Sequence, residues 1–179
     1  MDKFAQICGG KYFVIPANQR GFSWGKRQVE DLIADLLLAG GKAHYLGPLI
    51  VSRTQEADFQ DDERTTTVQF TLEDGQQRLT TLFIFANEIR KLMTAKGIHP
   101  LQAAELEKFV FLSHNGKQLR LQNEQTTLQE YFRYILLGEP APSAARVPSM
   151  NFIDEAKSEI QQPNGNEEIV PVKKFISFD

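Results

Sequence analysis

The residues best suited to chemistry are five consecutive ones, Asp74 to Arg78, which read Asp-Gly-Gln-Gln-Arg. A β-prone stretch precedes them and a helical repeat of apolar residues follows, so we predict a strand-to-helix turn. Such a turn exposes backbone N–H groups at the positive end of a helix dipole, which favours a phosphate or another anion. Gly75 would let the ligand approach the backbone, and Arg78 would add a guanidinium that can grip phosphate oxygens. An ordinary turn with Asp74 as N-cap is also compatible with these residues.

A second segment of the same type lies between Ile15 and Trp24, where another predicted strand ends and a helix begins. It holds Gln19 and Arg20 close to Phe22 and to the chain's single Trp. A Gln-Arg pair beside aromatic rings could clamp a phosphate or stack on a base. Alternatively, the aromatic residues fix the helix to the sheet and Arg20 forms an ion pair with a carboxylate. Ligands of α/β sheets gather at the carboxyl ends of the strands, so the side chains of Arg20 and Arg78 could converge on one anion.

The order and spacing of these segments resemble the DGQQR domain family, which includes the N-terminal part of the GmrSD type IV restriction enzymes and related phage-defence proteins. The match is strong over residues 10–95 and weak over residues 118–137. The residues that carry it are Tyr12, Ile15, Pro16, Gln19, Arg20, Phe22 and Trp24, then Tyr45, Leu46, Gly47, Ile50 and Val51, and then the run Asp74-Gly75-Gln76-Gln77-Arg78-Leu79-Thr80-Thr81-Leu82.

The resemblance implies an α+β fold similar to the ParB/sulfiredoxin superfamily, with a small mixed sheet and helices followed by a mainly helical region. It also implies binding of an NTP with Mg²⁺, often with hydrolysis, coupled to the recognition and cutting of modified DNA by a nuclease domain or subunit. Carried over by position, it predicts nucleotide- or phosphate-binding residues at Gln19, Arg20, Gly75 and Arg78. It predicts candidate catalytic residues at Asp74, Gln76 and Gln77, and no metal ligand.

The leading hypothesis is therefore a nucleotide-binding, NTP-hydrolysing regulatory domain of a modification-dependent restriction factor. Arg20 and Arg78 would hold phosphates, Gln76 or Gln77 would orient the attacking water, and Asp74 would position water or metal. The alternatives are a non-enzymatic DNA-sensing module that grips DNA phosphates or a modified base, and a fragment without activity of its own.

Two features depart from the family pattern. Glu73 stands where the family has an aliphatic residue, which adds negative charge beside the proposed phosphate site. The chain also lacks a His-Asn-His-type nuclease motif, so we expect no nuclease activity from that chemistry.

Hydrophobic periodicity predicts the elements that must position these residues. Strands are expected at 11–15, 45–51, 66–72 and 118–122. Helices are expected from Ser23 as N-cap to Leu38, from the Asp-Gly turn to about Met93, over 101–112 and over 126–137. The long helix should bury one stripe, formed by Leu79, Leu82, Phe83, Ala86, Ile89 and Met93. We expect an exposed acidic loop at 55–64.

These elements suggest three parts: a nucleotide-binding core at 1–95, a helical extension at 96–137, and a linker with the start of a further, truncated region at 138–179.

Composition fits a globular domain, with 41% hydrophobic and 24% charged residues. The formal charge of −3 argues against indiscriminate polyanion binding. Residues 1–53 and 75–120 each carry seven Lys or Arg against four and three acids, which predicts either a basic face or ordinary solvated helices. The single cysteine, Cys8, excludes an intrachain disulfide and is expected to be a bystander. Because no apolar run approaches about 20 residues and no signal pattern is present, we expect a cytoplasmic protein without a membrane partner.

Overall fold

The computed structural model describes residues 8–39, 45–54, 59–60, 66–112 and 118–161. Within these ranges a small mixed sheet is combined with five helices, which confirms the predicted α+β class. In chain order the elements are β1 (Lys11–Ile15), α1 (Lys26–Ala39), β2 (Ile50–Arg53), β3 (Phe59–Gln60), β4 (Thr66–Asp74), α2 (Gln76–Lys96), α3 (Pro100–Val110), β5 (Leu121–Asn123), α4 (Thr126–Leu137) and α5 (Pro148–Gln161).

The sheet has the strand order β2-β4-β1-β5, and β3 pairs antiparallel with the start of β4. Strand β1 runs parallel to both of its neighbours, with Val14 opposite Thr71 of β4, whereas β2 runs antiparallel to β4. Since β1, β4 and β5 run in the same direction, they all finish at one end of the sheet, at Ile15, Asp74 and Asn123. We call this the carboxyl end of the sheet.

Helix α2 forms the centre of the core. Its predicted apolar stripe is buried along its whole length, as expected. Burial goes further than the prediction, because Thr80, Thr81 and Asn87 are also buried. The reason is that α2 packs against α3, α4 and α5 and shares its core cluster with residues of the strands. A helix enclosed on several sides needs apolar or hydrogen-bonded residues on more than one face.

The prediction of a strand over 45–51 is wrong in its first part, because β2 begins only at Ile50. The carbonyl oxygens of Leu46 and Pro48 accept hydrogen bonds from the Arg78 guanidinium, at 2.9 and 2.7 Å. Gly47, between them, has a φ of +86°, which lies outside the strand region. A side chain distant in sequence therefore takes the carbonyl groups that a strand partner would otherwise bind.

Helix α1 begins at Lys26 rather than directly after Ser23. The backbone N–H groups of Ser23 and Trp24 donate to Oε1 of Gln77, at 2.8 and 3.3 Å. Ser23 is thus part of the connection between β1 and α1 and is not the N-cap that the sequence suggested.

The other elements follow the predictions closely. Helix α4 spans the predicted residues 126–137, and the third strand runs on to Asp74. The last strand is shorter than expected and begins at Leu121. Of the predicted loop at 55–64, only residues 59 and 60 are described, and they form β3. Residues 162–179 also lie outside the described part of the chain.

One core cluster contains residues from all three of the parts predicted from the sequence, including Phe13, Ile135 and Ile160. Helix α5 contributes to it by packing against α1 and α2. The boundaries of the three parts stay a prediction. Among the described helices, none is long and apolar enough to cross a membrane.

Candidate functional site

The turn between β4 and α2 depends on Gly75. Its φ is +93°, in the left-handed region that favours glycine. A Cβ atom at this position would lie 2.8 Å from Cδ1 of Leu49 and 3.3 Å from the carbonyl oxygen of Pro48. Gly75 is also the N-cap of α2, and no side chain caps the helix there. The first turn of this 21-residue helix therefore begins without a capping side chain, at its positive end.

The second Gln of the motif, Gln77, is buried and holds the connection between β1 and α1. Its Oε1 accepts the hydrogen bonds from Ser23 and Trp24 described above, and its Nε2 donates to the carbonyl oxygen of Gly21 at 3.2 Å. One amide group thus binds three backbone groups within four consecutive residues. We call residues 16–25 the Arg20 loop.

Two further glutamines fix the part of the loop that carries Arg20. Nε2 of Gln76 donates to the carbonyl oxygen of Arg20 at 2.5 Å, and Nε2 of Gln19 donates to the carbonyl oxygen of Glu73 at 2.7 Å. The backbone of Arg20 is thereby joined to the first residue of α2. Its side chain, in contrast, is exposed and makes no hydrogen bond or ion pair with another residue in the described ranges.

Arg78 is largely occupied by the segment before β2. Besides its two hydrogen bonds to Leu46 and Pro48, its Nη2 lies 3.6 Å from Oδ2 of Asp74. The guanidinium is so close to Gly47 that a Cβ atom there would lie 1.8 Å from Nη1. About a quarter of the Arg78 side chain is exposed, against 59% of the Asp74 side chain.

The end of β5 borders the same loop. Nε2 of Gln125, the N-cap residue of α4, donates to the carbonyl oxygens of Ala17 and Gln19 at 3.1 and 3.4 Å. The N–H of Ala17 donates to the Glu124 carboxylate at 3.0 Å. The sequence offered one signal for these residues, a predicted strand followed by a helix at 126, but we did not predict Glu124 or Gln125 as part of the site.

Helix α5 meets the loop from another side. A Cβ atom at Gly21 would lie 2.0 Å from Oγ of Ser149, the second residue of α5. The N-terminal ends of α2, α4 and α5 therefore all border the Arg20 loop. Nothing in the local sequence around Ser149 pointed to this contact, because it depends on how α5 packs against the rest of the domain.

Three carboxylates beside the loop have partners. Glu73, the residue that departs from the family pattern, accepts a hydrogen bond from Oγ of Ser52 on β2 at 2.8 Å. Asp74 is paired with Arg78, and Glu124 is bound by the loop backbone. The negative charge that Glu73 adds is thus held towards β2, while the Arg20 guanidinium has no such partner among the described residues.

The donor set is compatible with Mg²⁺ only as a companion of phosphates. The described residues contain no group of three or more His, Cys, Asp or Glu that could hold a metal ion. Mg²⁺ is commonly bound through one or two carboxylates together with substrate phosphates, and the exposed Asp74 could supply one carboxylate.

Cys8 plays no part in this arrangement. It is buried with 3% of its surface exposed, and burial raises the pKa of its thiol to about 12, although the nearby Arg120 and Lys11 act in the opposite direction. The thiol stays protonated near neutral pH, as a packed bystander would.

The comparison with known families agrees with this arrangement. A family model described as the N-terminal domain of the GmrSD restriction endonuclease matches residues 4–178. The chain belongs to this family. The match includes the region after residue 95, where the sequence motifs alone were weak. Membership in the GmrSD N-terminal family indicates a restriction or phage-defence protein. A search of curated proteins gave no significant match.

Proposed function

We propose that this GmrSD N-terminal domain binds and hydrolyses an NTP with Mg²⁺ at the carboxyl end of the sheet, and that it regulates a nuclease partner in a modification-dependent restriction system. The observation that supports this most strongly is the exposed Arg20 guanidinium, which has no partner among the described residues and lies on a loop bordered by three helix N-termini.

Electrostatics favours an anion at this place. Each helix N-terminus carries roughly half a positive charge on its free N–H groups. At α2 the N-cap is glycine, and at α4 the Gln125 side chain does not cap the helix but binds the Arg20 loop. A triphosphate brings several negative charges, which Arg20 and these helix ends can offset together.

Within this proposal, Arg20 and the backbone at Gly75 make the phosphate contacts. Arg78 contributes positive charge beside Gly75, and Gln19 keeps the loop beside β4. Mg²⁺, when bound, would neutralise charge on the phosphates. The water-orienting role of Gln76 or Gln77 and the water- or metal-positioning role of Asp74 stay predictions.

A binding experiment with two arginine variants tests the proposal. The chain is titrated with each NTP plus Mg²⁺ as wild type, as Arg20→Ala and as Arg53→Ala. Arg53 is the matched control: it is exposed and lies opposite Phe70, four residues back from Asp74 along β4. Loss of a charge-assisted contact is worth about 1.5–3 kcal/mol, so Arg20→Ala should weaken NTP binding by about 10- to 150-fold. Arg53→Ala should leave the affinity within about twofold of the wild type.

Modified and unmodified DNA duplexes form the second arm. If the wild type binds no NTP under any condition, the proposal fails. If it instead binds modified DNA, and Arg20→Ala weakens that binding, the DNA-sensing alternative is supported. A fall in DNA affinity with salt that is the same for both duplexes would indicate phosphate contacts without recognition of the modification.

A further inference from the structure

The two glutamines of the Asp-Gly-Gln-Gln-Arg segment have side-chain amides that are already engaged by backbone groups of the Arg20 loop. Gln77 binds the backbone of Gly21, Ser23 and Trp24, and Gln76 binds the carbonyl oxygen of Arg20. Both residues are buried, with 6% and 7% of their surfaces exposed. An amide oxygen that accepts two N–H groups has used both of its lone pairs.

We propose that Gln77 and Gln76 are positioning residues, whose amides hold the Arg20 loop on the first turn of α2 so that they act on bound nucleotide through Arg20. The effect of the two glutamines on nucleotide binding rests on the proposed function. Their attachment of the Arg20 loop to α2 does not depend on any ligand.

The geometry explains why a glutamine suits this role. The loop presents two N–H groups and one carbonyl oxygen towards Gln77, and a single primary amide offers an acceptor and a donor that match them. Apolar packing also holds the loop here, since Phe22 is buried and Trp24 packs partly against the core, but Ser23 between them is exposed and α1 starts only at Lys26. If the amide is lost, three part-buried backbone groups lose their hydrogen-bond partner. Water can replace that partner only if the loop moves away from α2.

A water-orienting glutamine and a positioning glutamine give different results in binding experiments. A residue that orients the attacking water acts in the transition state, so its loss lowers turnover and leaves nucleotide affinity unchanged. A residue that places Arg20 affects the contact that holds the phosphates, so its loss lowers affinity. It should do so only while Arg20 is present.

The test uses neutral substitutions of similar length. Gln77→Met removes all three hydrogen bonds and fills most of the same space, whereas Gln76→Met removes only the bond to Arg20. Gln122→Met is the matched control, since the Gln122 amide also donates to a backbone carbonyl, but to that of Leu119, which is not part of the loop. If Gln77→Met does not fold, Gln76→Met carries the test.

The fluorescence of Trp24 reports on the loop without nucleotide, because it is the only tryptophan of the chain and its backbone N–H donates to Gln77. In Gln77→Met we expect a red-shifted emission and easier quenching by acrylamide. Hydrogen exchange at the Ser23 and Trp24 amides should become about tenfold faster, as expected for the loss of one hydrogen bond each. Gln122→Met should leave both signals unchanged.

Nucleotide affinity is then measured in a double-mutant cycle with Arg20→Ala. We expect Gln77→Met to weaken NTP binding about tenfold in the wild-type background and less than about twofold in the Arg20→Ala background, because the two residues act through one contact. Equal losses in both backgrounds would overturn the proposal. So would lower turnover with unchanged affinity and unchanged Trp24 emission, since that result assigns Gln77 to the attacking water.

Failure of the proposed function is distinguishable from failure of the positioning role. If the wild-type chain binds no nucleotide, the proposed function fails, and with it the effect of the glutamines on nucleotide binding. The Trp24 and hydrogen-exchange measurements still decide whether the glutamines hold the loop. Unchanged Trp24 emission and unchanged hydrogen exchange in Gln77→Met would show that Gln77 does not hold the loop.

Discussion

At Arg78, one guanidinium binds two carbonyl oxygens of a segment some thirty residues earlier in the chain, at Leu46 and Pro48. Gly47 makes this possible in two ways. Its positive φ turns both neighbouring carbonyls towards the arginine, and its missing side chain leaves room for Nη1. The Asp74–Arg78 turn and the segment before β2 therefore depend on one another for their conformations.

The first prediction concerns this pair. Gly47→Ala should lower the free energy of unfolding by about 2–3 kcal/mol, because it adds left-handed strain and displaces Arg78. Gly138→Ala is the control: its φ is +75°, but a Cβ atom there would meet nothing within 4 Å. It should cost only the strain, about 1 kcal/mol. Urea denaturation measures both. In an Arg78→Ala background the Gly47→Ala loss should shrink to the control value; an unchanged loss would contradict the steric explanation.

The second prediction is a pH dependence that comes from Cys8. Burial raises the pKa of its thiol from 9.0 to about 12, so above pH 9 the unfolded chain releases a proton that the folded chain keeps. The stabilising contribution is complete below pH 9 and is lost as the pH rises towards 12. The slope is about 1.4 kcal/mol per pH unit for one proton.

Urea denaturation of the wild type and of Cys8→Ala between pH 7.5 and 10 checks this. The substitution lowers stability at every pH because it leaves a small cavity. The difference between the two proteins should nevertheless narrow by roughly 1–2 kcal/mol at pH 10. A difference that stays constant over this range would mean that the folded thiol ionises as easily as the unfolded one.

Residue types and spacing predicted that the loop with Arg20 and the Asp74–Arg78 turn come together, but not that the Arg78 guanidinium binds Leu46 and Pro48. The convergence of Arg20 with the Asp74–Arg78 turn follows from two strands that end at the same side of a sheet. The sequence did not predict that the amide of Gln77 binds the backbone of the loop. A glutamine beside a turn can bind water, backbone groups or a ligand equally well. The partner of a polar side chain depends on what the fold places opposite it.

At the scale of elements, Asn87 joins helices α2 and α4. It is fully buried in α2, its Nδ2 donates to the carbonyl oxygen of Leu136 at 3.2 Å, and its Oδ1 accepts from Nε and Nη2 of Arg90. Leu136 lies in the last turn of α4, where carbonyl groups lack partners within the helix. Asn87 therefore fixes the end of α4 against the middle of α2.

The third prediction follows from that contact. Asn87→Ala should lower the free energy of unfolding by about 1–3 kcal/mol, since it leaves a buried carbonyl oxygen and a half-buried guanidinium with fewer partners. Asn151→Ala is the comparison, because Asn151 also accepts a hydrogen bond from an arginine, Arg146, but is exposed. It should change stability by less than about 0.5 kcal/mol. Similar losses for the two variants, measured by thermal or urea unfolding, would contradict the role given to Asn87.

Elements with a strong internal pattern were predictable, and those shaped by distant side chains were not. Helix α4 carries its own periodic apolar face and ends at a glycine, so its limits agree with the prediction. The limits of strand β2 and the start of α1 differ from the prediction, because side chains of α2 bind the backbone at both places. Both deviations thus lie beside the candidate site, where polar side chains bind the irregular backbone of loops.

At the scale of the whole molecule, strand order was beyond the reach of the sequence. Strand β1 pairs with β4 and β5, which lie far along the chain, and the apolar patterns of these short strands do not specify a neighbour or a direction. The consequence for function is that three connections which are distant in sequence, after β1, β4 and β5, meet at one end of the sheet. Helix α5 then closes over the Arg20 loop through Ser149.

This convergence leads to the fourth prediction. If the nucleotide binds at the Arg20 loop, it contacts a place that α2, α4 and α5 share, so it should stabilise the domain as a unit. At a concentration of 100 times Kd, one bound ligand adds about 2.7 kcal/mol to the free energy of unfolding. For a domain of this size that corresponds to a rise in Tm of roughly 5–10 °C.

Differential scanning fluorimetry or calorimetry with NTP and Mg²⁺ measures this rise, with Arg53→Ala as the control that should keep it and Arg20→Ala as the variant that should lose about half of it or more. A single transition that moves as a whole is expected, because residues of β1, α2, α4 and α5 belong to one core cluster. Two transitions, of which only the earlier one responds to nucleotide, would mean that the helical part unfolds independently of the site. The contact between Gly21 and Ser149 would then not couple α5 to the bound ligand.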